Sequence, residues 1–274
     1  MSQLPGISTA YKKDGTPYYR ASVTYNRKHI SLGSYPSATD GSAAYQEALL
    51  LLSDHRSVSD YTEDSPLTFS KYVILANLKT NGIYFKTPIY LYPDYFLYHI
   101  SPELALKFDR DDLFFYASHT IQQKGGYLFV CHYGSQYSIL SRYGIRRFAI
   151  EGRDYLFMNG DRHDYRYQNI KVINHYMGVT TSQSHGKTTY TATIHTNGNY
   201  IVGRYQTEED AAIAYNKAAD YLQSNGYRKQ YIQNYISNIS SMEYADRYQS
   251  LEISDKLKNV IKPGTDSYTN TNER

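Results

Sequence analysis

The chain has 274 residues, of which 41% are hydrophobic and 20% charged, enough for a buried core and for two or three small domains. Its single cysteine, Cys131, excludes an internal disulfide framework and a cysteine-rich zinc site, which fits a reducing cytoplasm. No stretch approaches the roughly 20 apolar residues of a membrane span, and we expect no membrane partner. The formal net charge of +3 is too small to indicate nucleic-acid binding by itself.

The N-terminal residues are repeated near the C-terminus. Segments starting at Gly6 and at Gly178 align with only two one-residue slips, both in predicted turns. Such self-similarity indicates a duplicated structural unit. Matching positions include Gly6/Gly178, Tyr19/Tyr190, Ala21/Ala192, Gly33/Gly203, Tyr35/Tyr205, Asp40/Asp210, Ala44/Ala214 and Tyr45/Tyr215.

Each copy begins with a strand pattern and ends with a helix pattern. Apolar and polar residues alternate before and after a turn, which in the second copy is Asn197-Gly198, a strong hairpin signal. After Tyr35 and Tyr205 the spacing becomes helical, and Thr207 resembles a helix cap. We therefore predict an α+β chain in which each copy has three antiparallel strands, with a helix over one face and the other face uncovered.

The uncovered faces differ in charge from the helices. The acidic residues Asp40, Glu47, Glu208, Glu209, Asp210 and Asp220 fall on the helix side. Basic and short polar residues occupy the opposite face and the turns, which suits a polyanion better than a merely solvated surface. In the first copy the predicted binding residues are Lys12, Lys13, Arg20, Ser22, Thr24, Arg27 and Lys28, and in the second they are Lys187, Thr191, Thr193, His195 and Arg204.

The segment between the copies has two parts. Residues 57–84 are interpreted as a polar linker, and residues 85–174 as a small, irregular sheet domain rich in alternating aromatics with little helix. The second part ends in a series of short motifs: Leu140-x-Arg142, Asn159-Gly160-Asp161, Asp164-x-Arg166 and Asn169-Ile170.

Each copy resembles the plant ethylene-response-factor (Apetala-type) DNA-binding domain. The resemblance rests on Gly6-Ile7, Leu32-Gly33-Ser34-Tyr35 and Ala43-Ala44-Tyr45, and on Gly178-Val179, Val202-Gly203-Arg204-Tyr205 and Ala211-Ala212-Ile213-Ala214-Tyr215. It implies a sheet laid in the major groove of double-stranded DNA. The usual tryptophans are replaced by tyrosine, and the second copy has fewer arginines, so base specificity is not transferred.

Residues 85–235 together resemble phage and bacterial HNH homing endonucleases that carry an Apetala-type domain. A ββα nuclease site needs a histidine base and groups that hold a divalent cation. Here Phe157 and Leu156 occupy the base position and the one before it, while Tyr165 and Ser141 replace the Asn and His of two further motifs. The resemblance therefore implies a degenerate HNH-like domain with no catalytic residues, no metal and no cofactor, in which Arg162 and Arg166 join the predicted DNA-binding residues.

The predicted domains follow these motifs. They are an N-terminal module (1–56), a linker (57–84), the HNH-like domain (85–174), a second module (175–235) and a C-terminal segment (236–274). Helical spacing in 241–261 predicts a helix that either packs on the second module or contacts another copy in a homodimer, and residues 262–274 are predicted to be disordered.

These features predict a cytoplasmic, nucleoid-associated protein that binds specific double-stranded DNA, such as a transcription factor or repressor derived from an endonuclease. Two alternatives stay open. One is an active Mg²⁺-dependent homing or nicking endonuclease that uses His163 and Asp161. The other is a protein-interaction module without salt-dependent affinity for DNA.

Overall fold

A computed structural model describes residues 4–54, 56–147 and 149–259. The fold is α+β, as predicted, with helices and several small antiparallel sheets. The described residues divide into two compact units, one within 4–139 and 157–170 and the other within 140–156 and 171–259. This division follows compactness, whereas the predicted domain boundaries follow motifs, so the two do not coincide.

The first module begins the first unit. Strands β1 (Ile7–Tyr11), β2 (Pro17–Tyr25) and β3 (Lys28–Tyr35) form an antiparallel sheet in that order, and helix α1 (Ala38–Ser53) covers one face. Ala21 and Ile30 from the sheet pack with Ala44 and Ala48 from the helix, and all four are buried. Alanine at these helical positions lets the helix approach the sheet closely, since its side chain adds little bulk.

A second helix lies in the segment that was interpreted as a linker. Helix α2 (Phe69–Asn81) begins at Thr68, whose side chain accepts a hydrogen bond from the Lys71 amide. Tyr72 and Leu75 enter the core of the first module, and α2 also packs against strand β4 (Ile89–Leu91). The prediction of a polar linker over 57–84 is therefore wrong for 69–81, where the apolar run is buried because it has neighbours on two sides.

Two further sheets complete most of the first unit. Strands β4, β5 (Tyr95–Ser101) and β6 (Leu104–Asp109) form one, and β7 (Ile121–Lys124), β8 (Tyr127–His132) and β9 (Ser135–Ser138) form the other. The short helix α3 (Leu113–Ser118) lies between them in sequence. Phe96, Phe108 and Tyr116 form an aromatic core with ring centroids 4.2 to 6.2 Å apart.

A two-stranded ribbon, β10 (Tyr155–Phe157) with β11 (Ile170–Val172), lies where the chain passes between the units. The resemblance to a ββα motif implied a helix just before β11, but the structure has only a 3-10 turn at Tyr167–Asn169. The Asn169 side chain donates hydrogen bonds to the carbonyls of Asp161 and Asp164, and the following residues join the ribbon. These contacts leave no length of chain for a regular helix.

The second unit contains the second module and its C-terminal extension. Strands β12 (Val179–Ser184), β13 (Lys187–His195) and β14 (Asn199–Tyr205) form a sheet covered by α4 (Glu208–Ser224). Helices α5 (Ser241–Ser250) and α6 (Asp255–Lys258) follow, and Ile253 and Leu257 are buried in the same core. Within the described residues, the helix predicted over 241–261 is therefore two shorter helices, interrupted at 251–254, and both pack on the second module. The predicted disordered tail, 262–274, lies outside the described residues.

The duplication extends to small structural details. Both sheets have a register shift after the matching alanines, Ala21 and Ala192, because one extra residue of the third strand is accommodated there. Both first strands follow a glycine with positive φ, Gly6 at 73° and Gly178 at 71°. The two copies therefore have the same backbone construction.

Among the residues that the structure describes, no helix combines the length and the apolar character needed to cross a bilayer.

Candidate nucleic-acid interface

The uncovered face of the first sheet carries the predicted residues of β2. Arg20 and Thr24 are exposed and Ser22 is half-buried, while the intervening Ala21 and Val23 point into the core. The Arg20 guanidinium donates a hydrogen bond of 2.7 Å to the Tyr18 hydroxyl and lies 5.4 Å from the centre of that ring. Tyr18 thus positions Arg20 on the open face without neutralising its charge.

Four more cations lie in the two turns of this sheet. Lys12 and Lys13 are exposed in the β1–β2 turn, beside an open cleft of about 620 Å³ that Tyr11 and Tyr18 also line. Arg27 is exposed in the tight β2–β3 turn, and the Lys28 ammonium lies 4.5 Å from the centre of the Tyr84 ring. The turn residues extend the positive surface beyond the strands.

The charges of the first module are separated between its two faces. Within the described residues, Lys12, Lys13, Arg20 and Arg27 form no ion pair, whereas Glu47 on the helix side pairs with Arg56 at 3.2 Å. The sheet and its turns carry one carboxylate, that of Asp14, which accepts a hydrogen bond from the Thr16 amide. The cations outnumber it, so the sheet keeps a net positive field. This is the charge distribution that the sequence predicted for a polyanion-binding face.

The second sheet presents fewer cations. Lys187, His195 and Arg204 are exposed, and Thr191 and Thr193 are half-buried. His195 pairs with Asn199 across the β13–β14 hairpin, so its loop has three residues, 196–198, which include Asn197-Gly198. Sequence reasoning missed Lys229, whose ammonium donates a 2.8 Å hydrogen bond to the His195 carbonyl and adds a positive charge at this hairpin.

One arginine occupies the same cross-strand pair in both modules, but on different strands. Arg20 on β2 lies opposite Ser34 on β3, whereas Thr191 on β13 lies opposite Arg204 on β14. Alignment of the copies makes these the same pair of positions, with the arginine and the residue bearing a hydroxyl on opposite strands in the two copies. Each sheet therefore has a guanidinium at this cross-strand pair, on the middle strand in the first module and on the third strand in the second.

The carboxylates of the second module are engaged on its helix side. Asp210 pairs with Arg247 at 3.1 Å and Glu208 with the His175 ring at 2.9 Å. Asp220 accepts a 2.7 Å hydrogen bond from the Tyr248 hydroxyl. The separation of charge between sheet and helix is thus repeated, although with a weaker positive side.

The central turn of the first unit is held by side-chain amides. The Asn159 amide donates to Asp164 at 3.0 Å, and its oxygen accepts from the Asp161 backbone at 2.8 Å. Asn169 accepts from the Asn159 backbone at 2.8 Å while its own amide donates to Asp161 and Asp164. The motif residues therefore form a connected framework that shapes the turn.

Asp164 and Arg166 form a two-point ion pair within this framework. The guanidinium donates to the two carboxylate oxygens at 2.9 and 2.6 Å. Burial raises the pKa of Asp164, but hydrogen bonds from Arg166 and Asn159 outweigh it, and the pKa lies below its ordinary value. Arg166, predicted to bind nucleic acid, is thus half-buried and engaged by Asp164, while Arg162 is exposed in the turn.

Packed aromatic rings occupy two of the positions where an active HNH nuclease would need catalytic side chains. Tyr165 is buried, stacks on Phe108 at 5.4 Å and meets Phe157 edge-on at 5.7 Å. Phe157 is half-buried, and its carbonyl accepts a hydrogen bond from Gly160 that closes the turn.

The remaining residues that bear on catalysis are exposed. His163 and Asp161 lie on the turn, with 3.9 Å between the His163 ring nitrogen and the Asp161 carboxylate. Leu156 and Ser141, which belong to the second unit, are exposed.

A second polar framework, which the sequence did not reveal, lies in the second unit. The buried Asp154 accepts hydrogen bonds from Arg146, Arg153 and Asn174, each between 2.7 and 3.2 Å. Asn174 in turn accepts from the amide and hydroxyl of Thr181 on β12. This network fixes the segment that precedes the second module to its first strand, which is a structural role.

Across residues 4–54, 56–147 and 149–259, no three His, Cys, Asp or Glu side chains come together as a potential metal site. No protein-family model, curated protein or solved structure matches the chain.

Proposed function

We propose that this protein binds specific sequences of double-stranded DNA through the uncovered sheets of two Apetala-type modules, and that it acts as a transcriptional regulator or repressor. In this proposal the residues between the modules descend from an HNH endonuclease and hold the fold without cleaving DNA. The binding residues are the exposed cations and short polar side chains of the two sheets.

The observation that carries the proposal is the uncovered first sheet, on which Arg20 is positioned by Tyr18 and flanked by unpaired cations. A two-stranded β-ribbon fits the major groove, and an arginine there can donate two hydrogen bonds to a guanine edge. Lysines in the turns suit phosphates, since each contact releases a counterion. The helix side, where carboxylates are paired, faces away from such a ligand.

The centre of the protein supports binding in preference to cleavage. The rings of Phe157 and Tyr165 can neither accept a proton from water at neutral pH nor ligate a hard cation as a histidine or carboxylate does. The buried carboxylate of the Asn159–Asp164 turn, that of Asp164, is occupied by Arg166. The residues present thus do not fit a catalytic divalent metal, and we assign no reaction step to one.

Fluorescence anisotropy tests this proposal with duplex fragments selected from a random DNA pool, measured at several salt concentrations. We expect tight binding at low salt, and we expect Lys12→Ala/Lys13→Ala to lower the slope of log K against log salt by roughly 1.8, at about 0.9 per phosphate contact. The matched control is Lys86→Ala/Lys124→Ala, which removes two exposed lysines of the same unit that lie outside β1–β3 and the turns joining them. No bound species in low salt, or equal losses in both variants, would contradict the proposal.

The second candidate is a nicking endonuclease, favoured only by the exposed His163 beside Asp161. Supercoiled plasmid incubated with the protein and Mg²⁺ or Mn²⁺ distinguishes the two. Under the main proposal the plasmid stays supercoiled, and Phe157→His/Tyr165→Asn does not restore cleavage, because Leu156 and Ser141 also lack ligating groups. Relaxed product that disappears in His163→Ala would establish the enzyme instead.

A further inference from the structure

The first unit contains a cleft of about 390 Å³ that the proposed DNA interface does not use. This volume lies in the range of small-molecule sites. Its walls are mainly aromatic, with hydroxyl groups on one side. The residues that define it are Ser57, Tyr61, Phe69, Tyr90, Tyr92 and His99.

His99 is the unusual member of this cleft. It lies on β5, is only 9% exposed, and meets the Phe69 ring edge-on at 5.7 Å. Within the described protein neither of its ring nitrogens has a hydrogen-bond partner. Buried polar side chains normally have one, and an exception calls for an explanation.

The protonation state of His99 limits what could satisfy it. Burial lowers its pKa to about 4, so the ring is neutral at pH 7. A neutral imidazole offers one donor and one acceptor. The missing partner is therefore a group or pair of groups with complementary polarity, and it does not need a charge.

The walls indicate the shape of such a ligand. Tyr61 packs edge-on against Phe69 at 4.9 Å, and the rings of Tyr90 and Tyr92 lie 5.2 Å apart. Aromatic faces favour a flat, π-bearing ligand. Next to the cleft, the Asp60 carboxylate accepts a 2.7 Å hydrogen bond from the Ser57 amide, and no cation lines the cleft, so an anion is disfavoured.

We propose that this cleft binds an uncharged, planar nitrogen heterocycle of nucleobase size. The ligand stacks against the tyrosine and phenylalanine walls and forms a hydrogen bond with one of the two ring nitrogens of His99. This site is separate from the DNA-binding sheets and does not depend on the proposed function. The same chemistry is available from a free heterocycle or from an unpaired base of a nucleic acid.

The test follows the His99 ring in the full chain by ¹H–¹⁵N NMR, with its signals assigned by their loss in His99→Phe. Adenine, cytosine and nicotinamide serve as probes, and cyclohexanol and inorganic phosphate as negative controls. We expect at least one heterocycle to shift the His99 nitrogens and to raise the melting temperature, while the controls do neither. Binding should weaken at least tenfold in His99→Phe and should not change in His29→Phe, an exposed histidine of the same unit.

A short single-stranded oligonucleotide separates the two ligand sources, because it shifts His99 at lower concentrations than the free bases only if an unpaired base is the ligand. If His99→Phe fails to fold, Tyr92→Leu removes one aromatic wall and should weaken the same heterocycle. Failure of all three heterocycles and of the oligonucleotide to perturb the His99 nitrogens overturns the proposal. Equal affinity of wild type and His99→Phe, or of wild type and Tyr92→Leu, overturns it as well.

Discussion

The first and second modules share a scaffold and differ in surface. Both use the same bulge, the same positive-φ glycine and the same helix cap, with Ser37 and Thr207 accepting from Asp40 and Asp210 at 3.0 and 3.1 Å. Their outward side chains match far less, and the first module has the larger number of cations. Packing restricts the buried positions of a duplicated fold, whereas the open sheet face is free to change with the ligand.

In both modules the sheet is also held by a hydrogen bond to the chain that follows the repeated sequence. The Tyr35 hydroxyl donates to the Pro66 carbonyl at 3.2 Å, and the matching Tyr205 donates to Glu252 at 2.9 Å. In each case the accepting segment lies immediately before a further helix, α2 or α6. Each module is therefore larger than the repeated sequence and includes the chain that follows it.

The largest expected effect tests whether the scaffolds are equivalent. Gly6→Ala and Gly178→Ala each place a methyl group against the ring of Tyr45 or Tyr215, at a backbone angle unfavourable for alanine. We expect each to lower the free energy of unfolding by about 3 kcal/mol or more, from strain and overlap together. Urea denaturation monitored by circular dichroism measures both.

Gly15→Ala is the matched control for these changes. Its φ of 82° is similar, but the space around it is open. It should cost only about 1 kcal/mol, the contribution of the backbone alone. A loss for Gly178→Ala no larger than that of Gly15→Ala would show that the second module does not need the close contact with Tyr215.

The next effect tests the two arginines that lie on different strands. If Arg20 and Arg204 each read a guanine edge, replacement by alanine should cost roughly 1 to 3 kcal/mol on the selected DNA and much less on random DNA. Anisotropy titrations with both DNAs measure the difference. Equal losses on the two DNAs for Arg204→Ala alone would restrict base reading to the first module and leave the second as a phosphate-binding module.

The smallest effect concerns the hairpin of the first module, where the two copies differ in backbone. Asn26 and Arg27 have φ values of 47° and 63°, and glycine is favoured at the second of these turn positions. We expect Arg27→Gly to raise the free energy of unfolding by about 1 kcal/mol through released strain, and to weaken DNA binding by loss of one cation. Thermal melting and anisotropy give the two readouts, with Arg27→Ala as the control that removes the charge but keeps the strain.

A variant Arg27→Gly that was less stable than wild type would show that the arginine side chain makes stabilising contacts and is not simply tolerated for function. Unchanged affinity would remove Arg27 from the proposed interface.

The repeated parts of the fold were the most predictable from sequence. Two copies of one pattern provide two independent readings of each strand, and the Tyr19/Tyr190 and Gly33/Gly203 pairs fixed the alignment. Helix α2 was missed because its residues 73–78 are buried throughout, so no polar stripe marked it as amphipathic.

The candidate site was partly predictable for a similar reason. Strand alternation placed Arg20 and Thr24 on the outward face, since the period of two is a local property. Lys229 could not be assigned to the second hairpin, because it lies 34 residues from His195 in sequence and only tertiary structure joins them. The engagement of Arg166 by Asp164 depends on a buried framework that no local pattern reveals.

If the protein binds specific DNA as proposed, the positions of Arg20 and Arg204 on different strands affect the symmetry of its binding site. Neighbouring strands lie about 4.8 Å apart, whereas successive base pairs are separated by about 3.4 Å. Two modules whose guanidinium groups are offset by one strand therefore cannot prefer identical DNA half-sites. Selection from a random pool should then yield an asymmetric tandem site, with its preferred guanine in a different position in each half, and a perfect repeat would bind less well than this imperfect one.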